Sequence, residues 1–220
     1  MDEICIEVNG EALLLDAAGA LWWKAERTLV FADLHFEKGS SFARRGQMLP
    51  PYDTRDTLGR ISAVVSRHAP KRVIALGDSF HDAHAGDRLD EQERAILADL
   101  CNKMDWIWIA GNHDPAPPSW LGGKVTEEVA IGGLIFRHEP QPGMNDGEIA
   151  GHLHPCATVT RRGRSLRRRC FVSDGLRVVM PAFGAYTGGL DVREPPVRSL
   201  FVDDFLAYLL GARRVYAVAG

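Results

Sequence analysis

The sequence predicts an α/β protein of two mixed sheets packed face to face with helices outside, folded as one domain over residues 1–220. Three observations carry that expectation. Runs that are apolar on both faces recur at Thr28–Ala32, Arg72–Leu76 and Trp106–Ala110, as buried strands of a covered sheet do. Segments with apolar residues at helical spacing separate them. After Val125 the spacing changes to a second set of short strand-like runs.

The chain opens with β-rich runs at Ile4–Val8, Leu13–Asp16 and Ala20–Trp23, punctuated by Asn9-Gly10 and Gly19. The run at Thr28–Ala32 (TLVFA) then reads as a central strand. Beyond Pro50-Pro51, Tyr52–Arg67 sets Leu58, Ile61, Val64 and Val65 on one helical face, and with Arg72–Leu76 it completes a βαβ unit. The unit repeats: helix Asp90–Met104 carries Ile96, Leu97 and Leu100, and strand Trp106–Ala110 follows. Further strands are expected at Leu134–Arg137, Glu148–Gly151, Ala157–Thr160, Arg167–Val172, Leu176–Met180 and Val197–Val202. A helix over Asp203–Leu210 and a strand over Arg214–Ala219 should close the chain. Trp22, Trp23, Trp106 and Trp108 fall in strand runs and are expected in the core, and His68 is expected to cap a helix end.

With 45% hydrophobic and 25% charged residues among 220, disordered, collagen-like and coiled-coil classes are excluded. No apolar run approaches the ~18 residues of a spanning helix, and MDEICIEVNG lacks a secretion profile, so a soluble cytoplasmic protein without membrane contact is expected. Cys5, Cys101, Cys156 and Cys170 are scattered without a CxxC pair and are expected as core thiols. A formal charge of −3 gives no bulk attraction to nucleic acid. Yet Arg161–Arg169 (RRGRSLRRR) holds six arginines and no acid, so a local contact remains open.

Each buried strand runs into polar residues of metal-ligand type. Thr28–Ala32 leads to Asp33 and His35, Arg72–Leu76 to Gly77-Asp78, and Trp106–Ala110 to Gly111-Asn112-His113-Asp114. Leu134–Arg137 ends at His138, and Glu148–Ala150 leads into Gly151-His152-Leu153-His154. Sites in α/β sheets form at the carboxyl ends of strands, so five such ends point to one cleft. In extended chain Asp33 and His35 project to one side, as do His152 and His154. Glycine before Asp78, Asn112 and His152 lets the backbone approach a metal closely. Two carboxylates, one amide and four imidazoles exceed one tetrahedral ion and suit two ions sharing a bridge, naturally Asp78. Mixed imidazole and carboxylate donors favour Mn2+, Fe or Zn2+ over Ca2+, with manganese the first choice.

This ordered set, D-x-H, G-D, G-N-H-D, H and G-H-x-H from Asp33 to His154, resembles the calcineurin-like metallophosphoesterase superfamily. The resemblance implies a four-layer αββα sandwich and phosphoester hydrolysis by a hydroxide activated between two divalent cations. It further implies a first ion on Asp33, His35, Asp78 and His154, and a second on Asp78, Asn112, His138 and His152. His113 would stand beside the phosphate as charge stabiliser or proton donor.

More locally, GDSFHD (Gly77–Asp82), DLHFEKG (Asp33–Gly39) and PAFGAYTGG (Pro181–Gly189) are similar to the ligase-associated DNA damage response endonuclease family. That likeness implies a phosphodiester substrate, DNA in particular, in repair alongside a DNA ligase and a helicase. His81 stands where protein phosphatases of the superfamily carry an Asp, as in the double-strand-break repair nucleases, and is assigned to the substrate phosphate. Asp82 and Asp114 both stand as orienters of His113. The arginines Arg161, Arg162, Arg164, Arg167, Arg168 and Arg169 begin seven residues after His154, so their hairpin tip can lie up to ~23 Å from the metals and touch flanking phosphates. The bland alternative is a solvated tip around Gly163. Lys38, Arg44 and Arg45 form either a second basic rim or a charged loop. Rival functions are a small-molecule phosphomonoesterase, a cyclic-nucleotide phosphodiesterase and a non-catalytic scaffold; the complete ligand set argues against the last.

Overall fold

In the computed structural model, which describes residues 4–114, 116–161 and 163–220, the first sheet runs β1 (Ile4–Val8), β2 (Glu11–Leu15), β3 (Leu21–Trp23), β4 (Thr28–Phe31), β5 (Arg72–Leu76), β6 (Asp105–Ile109) and β7 (Lys124–Thr126), in that spatial order. Pairing is antiparallel from β1 to β4 and parallel from β4 to β7. The crossovers between parallel neighbours carry α1 (Lys38–Arg44) and α2 (Asp53–His68), then α3 (Ala85–Arg88) and α4 (Glu91–Lys103). The start of α4 is fixed by a reciprocal capping box between Asp90 and Glu93.

The second sheet is assembled from β8 (Glu128–Ile131), β9 (Leu134–Arg137), β10 (Glu148–Ala150), β12 (Arg164–Ser173), β13 (Arg177–Val179), β14 (Leu206–Leu210) and β15 (Val215–Ala219). Its order is β15-β14-β12-β13-β10-β9-β8, with β9, β10 and β13 parallel and the other neighbours antiparallel. β11 (Cys156–Arg161) pairs with β12 as a hairpin.

Period-two alternation sorts the apolar residues into layers. Val30, Ile74 and Ile107 face Phe136, Ile149 and Phe171 across the inter-sheet core. On the outer face of the first sheet, Phe31, Val73 and Trp108 pack on Leu58, Ile61 and Leu97 of α2 and α4. Each such side chain removed from water contributes about 1.5–3 kcal/mol. The four tryptophans singled out in the sequence are all buried. Beneath the second sheet lie Val197, Phe201 and Phe205, led by the one-turn α5 (Pro195–Arg198), so this outer helical layer is thin. No helix among the described residues is long and apolar enough to cross a membrane.

Several expectations are corrected. Val197–Val202 is not a strand, because Pro195 and Pro196 open a short helix there. The helix expected at Asp203–Leu210 is instead β14, whose LAYLL run pairs with β12 and β15. Lys38–Arg44 is a helix and not a loop. Cys5 is exposed, unlike the other three thiols. His68 does not cap its helix; its Nε2 lies 3.0 Å from the buried Asp16 Oδ2, and its ring stacks on Trp22.

Candidate metal centre

The β4 and β5 chains stay zipped after their strands end. His35 N–H donates to the Asp78 carbonyl at 2.9 Å, Phe36 N–H to Ser79 at 2.9 Å, and His81 N–H to Phe36 at 3.0 Å. The β9 and β10 ends are joined by Gly151 N–H to the His138 carbonyl at 2.9 Å. The sheets meet where His152 N–H donates to both Asp33 oxygens, at 3.0 and 3.2 Å. The ligand pairs are not extended. Asp33, His35, Asp78, His152 and His154 have φ of 52, 45, 46, 68 and 47°, so left-handed turns, and not strand alternation, aim the side chains. Such backbone costs of order 1–3 kcal/mol per residue and persists where the surroundings over-determine it.

Two groups result. Asp33, His35 and His154 offer donor atoms within 4.8 Å of one another, as do Asp78, His138 and His152. In the first, His154 Nε2 lies 3.3 Å from Asp33 Oδ1 and 3.4 Å from His35 Nε2. In the second, His138 Nδ1 donates to the Leu76 carbonyl at 2.9 Å, which fixes the tautomer and leaves a lone pair on Nε2. That lone pair faces Asn112 Oδ1 at 2.9 Å and Asp78 Oδ1 at 3.5 Å. His152 Nδ1 lies 3.1 Å from the same Nε2, so carboxylate, amide and imidazole atoms crowd one point as the ligands of a cation do, and the donor set fits a bound metal. Asp78 Oδ2 is also 3.9 Å from His35 Nε2, which places this carboxylate between the groups.

Electrostatics agree with ligand chemistry. Burial above all, then the neighbouring His154 and Lys38, drives His35 down to about 2, so it stays a neutral imidazole. His152 is lowered by burial and by His138. The glycines make room for the ligand residues. A Cβ on Gly77, at φ +71°, would stand 2.4 Å from His138 Nδ1, and one on Gly111 would stand 2.2 Å from the Asp78 nitrogen. Gly151 gives the same clearance to Asp33.

His113 lies beside these groups, its Nε2 3.9 Å from Asp78 Oδ2. Its ring is oriented by neither Asp82 nor Asp114, because Nδ1 donates to the His81 carbonyl at 3.0 Å. Asp82 is held by Arg88 at 2.7 and 2.8 Å. Asp114 accepts from Phe80 N–H, and burial first, then Asp78 and Asp33, raises it to about 8. No sequence signal marks a backbone carbonyl as the orienter. The His81 ring stacks on His113 at 5.3 Å and is lowered to about 4 by burial, Lys38 and His113, hence neutral.

An open cleft of 480 Å³ gives access to His35, His113, Asn112 and His154, with Lys38, Phe42 and Arg45 along one wall. Lys38 and Arg45 thus form the second basic rim anticipated from sequence; Arg44 is not among its lining residues. Phe42 escaped attention in the sequence, although its spacing from Lys38 and Arg45 is helical. The arginine run divides along the length of β12, exposed from Arg164 to Arg168 and half-buried at Arg169. Arg169 points inward, its Nη1 donating to the carbonyls of Ala182 at 2.7 Å and Gly184 at 3.2 Å, which withdraws it from phosphate binding. Arg167 is exposed and its Nη2 donates to Gly189 at 2.6 Å, in the loop packed against His154. Arg164 and Arg168 are exposed. Arg162 and the Arg161 side chain lie outside the described residues. The hairpin turns at Gly163, with φ +75°, where the sequence reading put its tip.

The profile of the calcineurin-like phosphoesterase family matches residues 26–172. The chain is similar to the crystal structure of Pseudomonas putida nuclease MPE, with 31% identity and a TM-score of 0.77 over 99% of this chain and 100% of that one. It is also similar to Yfce, a phosphoesterase from E. coli, with 14% identity and a TM-score of 0.43 over 87% of this chain and 98% of that one. No curated protein sequence matches the chain.

Proposed function

The chain belongs to the calcineurin-like phosphoesterase family and is a phosphoester hydrolase, and from that premise we propose that it is a dinuclear phosphodiesterase acting on nucleic acid. The observation that carries the metal reading is the convergence of His138 Nε2, His152 Nδ1, Asn112 Oδ1 and Asp78 Oδ1. Asp33, His35, Asp78 and His154 would hold one ion, and Asp78, Asn112, His138 and His152 the other, with Mn2+ the preferred species. Bound there, two cations would supply charge for phosphate oxygens and lower the pKa of a water toward neutrality. Ligands come from the ends of both sheets, so residues 1–220 act as one catalytic unit.

The chain's own groups do the remaining work. With Nδ1–H committed to the His81 carbonyl, His113 presents Nε2 to the cleft and carries a proton to the leaving oxygen. Neutral His81 donates to a phosphate oxygen. A diester leaves one negative charge on the phosphoryl group, and Lys38 and Arg45 on the cleft wall suit the further charges of a polynucleotide. The P. putida neighbour is a nuclease, which supports the same substrate class. Exposed Arg164, Arg167 and Arg168 would meet flanking phosphates, while a repair setting with a DNA ligase and a helicase is supported by the GDSFHD, DLHFEKG and PAFGAYTGG likeness.

The test compares bis(p-nitrophenyl) phosphate, p-nitrophenyl phosphate and DNA with Mn2+-loaded protein. Asp78→Asn should lose metal and turnover together. His113→Ala should retain its metal and lose about 10²–10⁴ in rate. Equal metal loss in both variants would contradict the roles, and a monoester outrunning the diester would transfer the proposal to a phosphomonoesterase.

A further inference from the structure

We propose that the cleft-facing side of α1 is a nucleobase subsite, in which Phe42 stacks the base beside the scissile phosphate while Lys38 and Arg45 hold adjacent phosphates. The inference rests on the phosphodiesterase reading above and specifies which part of the substrate is gripped.

Residues 38, 42 and 45 are spaced i, i+4, i+7 and share one helical face, flanked by buried Gly39 and Ser41, while Ala43 and Arg44 are exposed on the far side. All three side chains line the cleft that opens on His113 and His35. The Phe42 ring is half-buried, tilted 41° to the His81 ring with centroids 5.8 Å apart. His81 in turn stacks on His113, and His113 meets His35 edge-on at 5.3 Å. An aromatic row therefore leads from the metal-binding groups to Phe42, the only one of these rings without a proton to exchange. A base attached to a phosphate held at His113 and His81 has a π-face at hand, with the Lys38 ammonium over the same ring free to swing to a phosphate.

The flanking cations are available. Lys38 Nζ lies 5.9 Å from the Phe42 centroid. Among the described residues, no carboxylate comes within ion-pair distance of Lys38 or Arg45. Asp53, which accepts the Gly39 N–H at 2.9 Å, attracts Lys38 only from beyond ion-pair distance, and Asp82 is bound twice by Arg88. Two cations without an ion-paired carboxylate, lining the same cleft as an accessible ring, match the alternation of phosphate and base along a nucleic-acid strand. A cleft meant for a small phosphomonoester would need neither the ring nor the second cation.

The test uses Mn2+-loaded full-length protein and two labelled oligonucleotides, oligothymidylate and the same backbone with abasic tetrahydrofuran units. Wild type should cleave the base-bearing strand at least about tenfold better in kcat/KM, as expected for one stacked base. In Phe42→Ala this ratio should collapse toward one, and Phe42→Trp should restore it, which separates stacking from mere anchoring of α1. Lys38→Gln and Arg45→Gln should each flatten the salt dependence of binding by roughly one phosphate contact. An unchanged ratio in Phe42→Ala, or equal loss on both strands that Trp does not rescue, overturns the subsite and leaves the phosphodiesterase standing. Wild-type cleavage of bis(p-nitrophenyl) phosphate with neither oligonucleotide cut overturns the nucleic-acid reading, and the subsite with it.

Discussion

Replacing Gly77 with alanine tests how the glycines build the site. The added Cβ would stand 2.4 Å from His138 Nδ1 and 2.5 Å from its Cγ, on a backbone at φ +71°. A left-handed alanine costs roughly 1–2 kcal/mol. The displaced ring also loses the bond from Nδ1 to the Leu76 carbonyl, about 1 kcal/mol, and overpacking adds about 1–3 kcal/mol. The expected destabilisation is about 3–6 kcal/mol, or roughly 6–24 °C in Tm for a chain of this size. Metal binding should fail selectively, because the clash turns Nε2 of His138 away from Asn112 and Asp78 but leaves Asp33, His35 and His154 in place. Thermal melts and calorimetric Mn2+ titration read both effects. In a His138→Ala background the same substitution should cost less, since its obstacle is gone. A Gly77→Ala protein melting within about 2 °C of wild type with both ions bound would refute the reasoning.

Arg169→Met should lower Tm without changing the salt dependence of DNA binding, because its guanidinium is spent on the carbonyls of Ala182 and Gly184; Arg164→Glu with Arg168→Glu should do the reverse in an electrophoretic titration. Burial alone would raise the Asp16 carboxyl, but the Ala18 N–H, His68 and Arg67 overcome it and hold it below the ordinary value. Its stabilisation is therefore complete above about pH 4 and fades as pH falls through the depressed value, a slope that Asp16→Asn should remove from an acid-unfolding series. Burial pushes the Cys101 thiol up to about 12 and raises Cys170 as well, so in the folded protein a thiol-titrating disulfide should label exposed Cys5 in preference to the other three cysteines.

The parallel centre of the fold was legible because β4, β5 and β6 are apolar on both faces, and no other element tolerates that pattern between turns. Asp33, Asp78 and Asn112 were legible for the same reason, since each stands within a few residues of the end of such a strand. Periodicity failed where it was absent. LAYLL is buried nearly throughout between two neighbouring strands and two apolar layers, so neither a period of 2 nor one of 3.6 shows. KGSSFAR in α1 offers one large apolar residue, and its helical character comes from packing of Gly39 and Ser41 beside the site. The carbonyl that orients His113 and the inward turn of Arg169 depend on backbone paths set by distant segments. Where Asp33, His35, His152 and His154 do come together, positive-φ turns replace the extended alternation expected of them.

The account turns on whether two cations share the ends of the two sheets. Anomalous diffraction from crystals grown with Mn2+ measures this directly. Two peaks about 3.5–4 Å apart, flanking Asp78 with His35 and His154 on one side and His138 and His152 on the other, are the predicted result. A single peak, or a pair held away from Asp78, would contradict it.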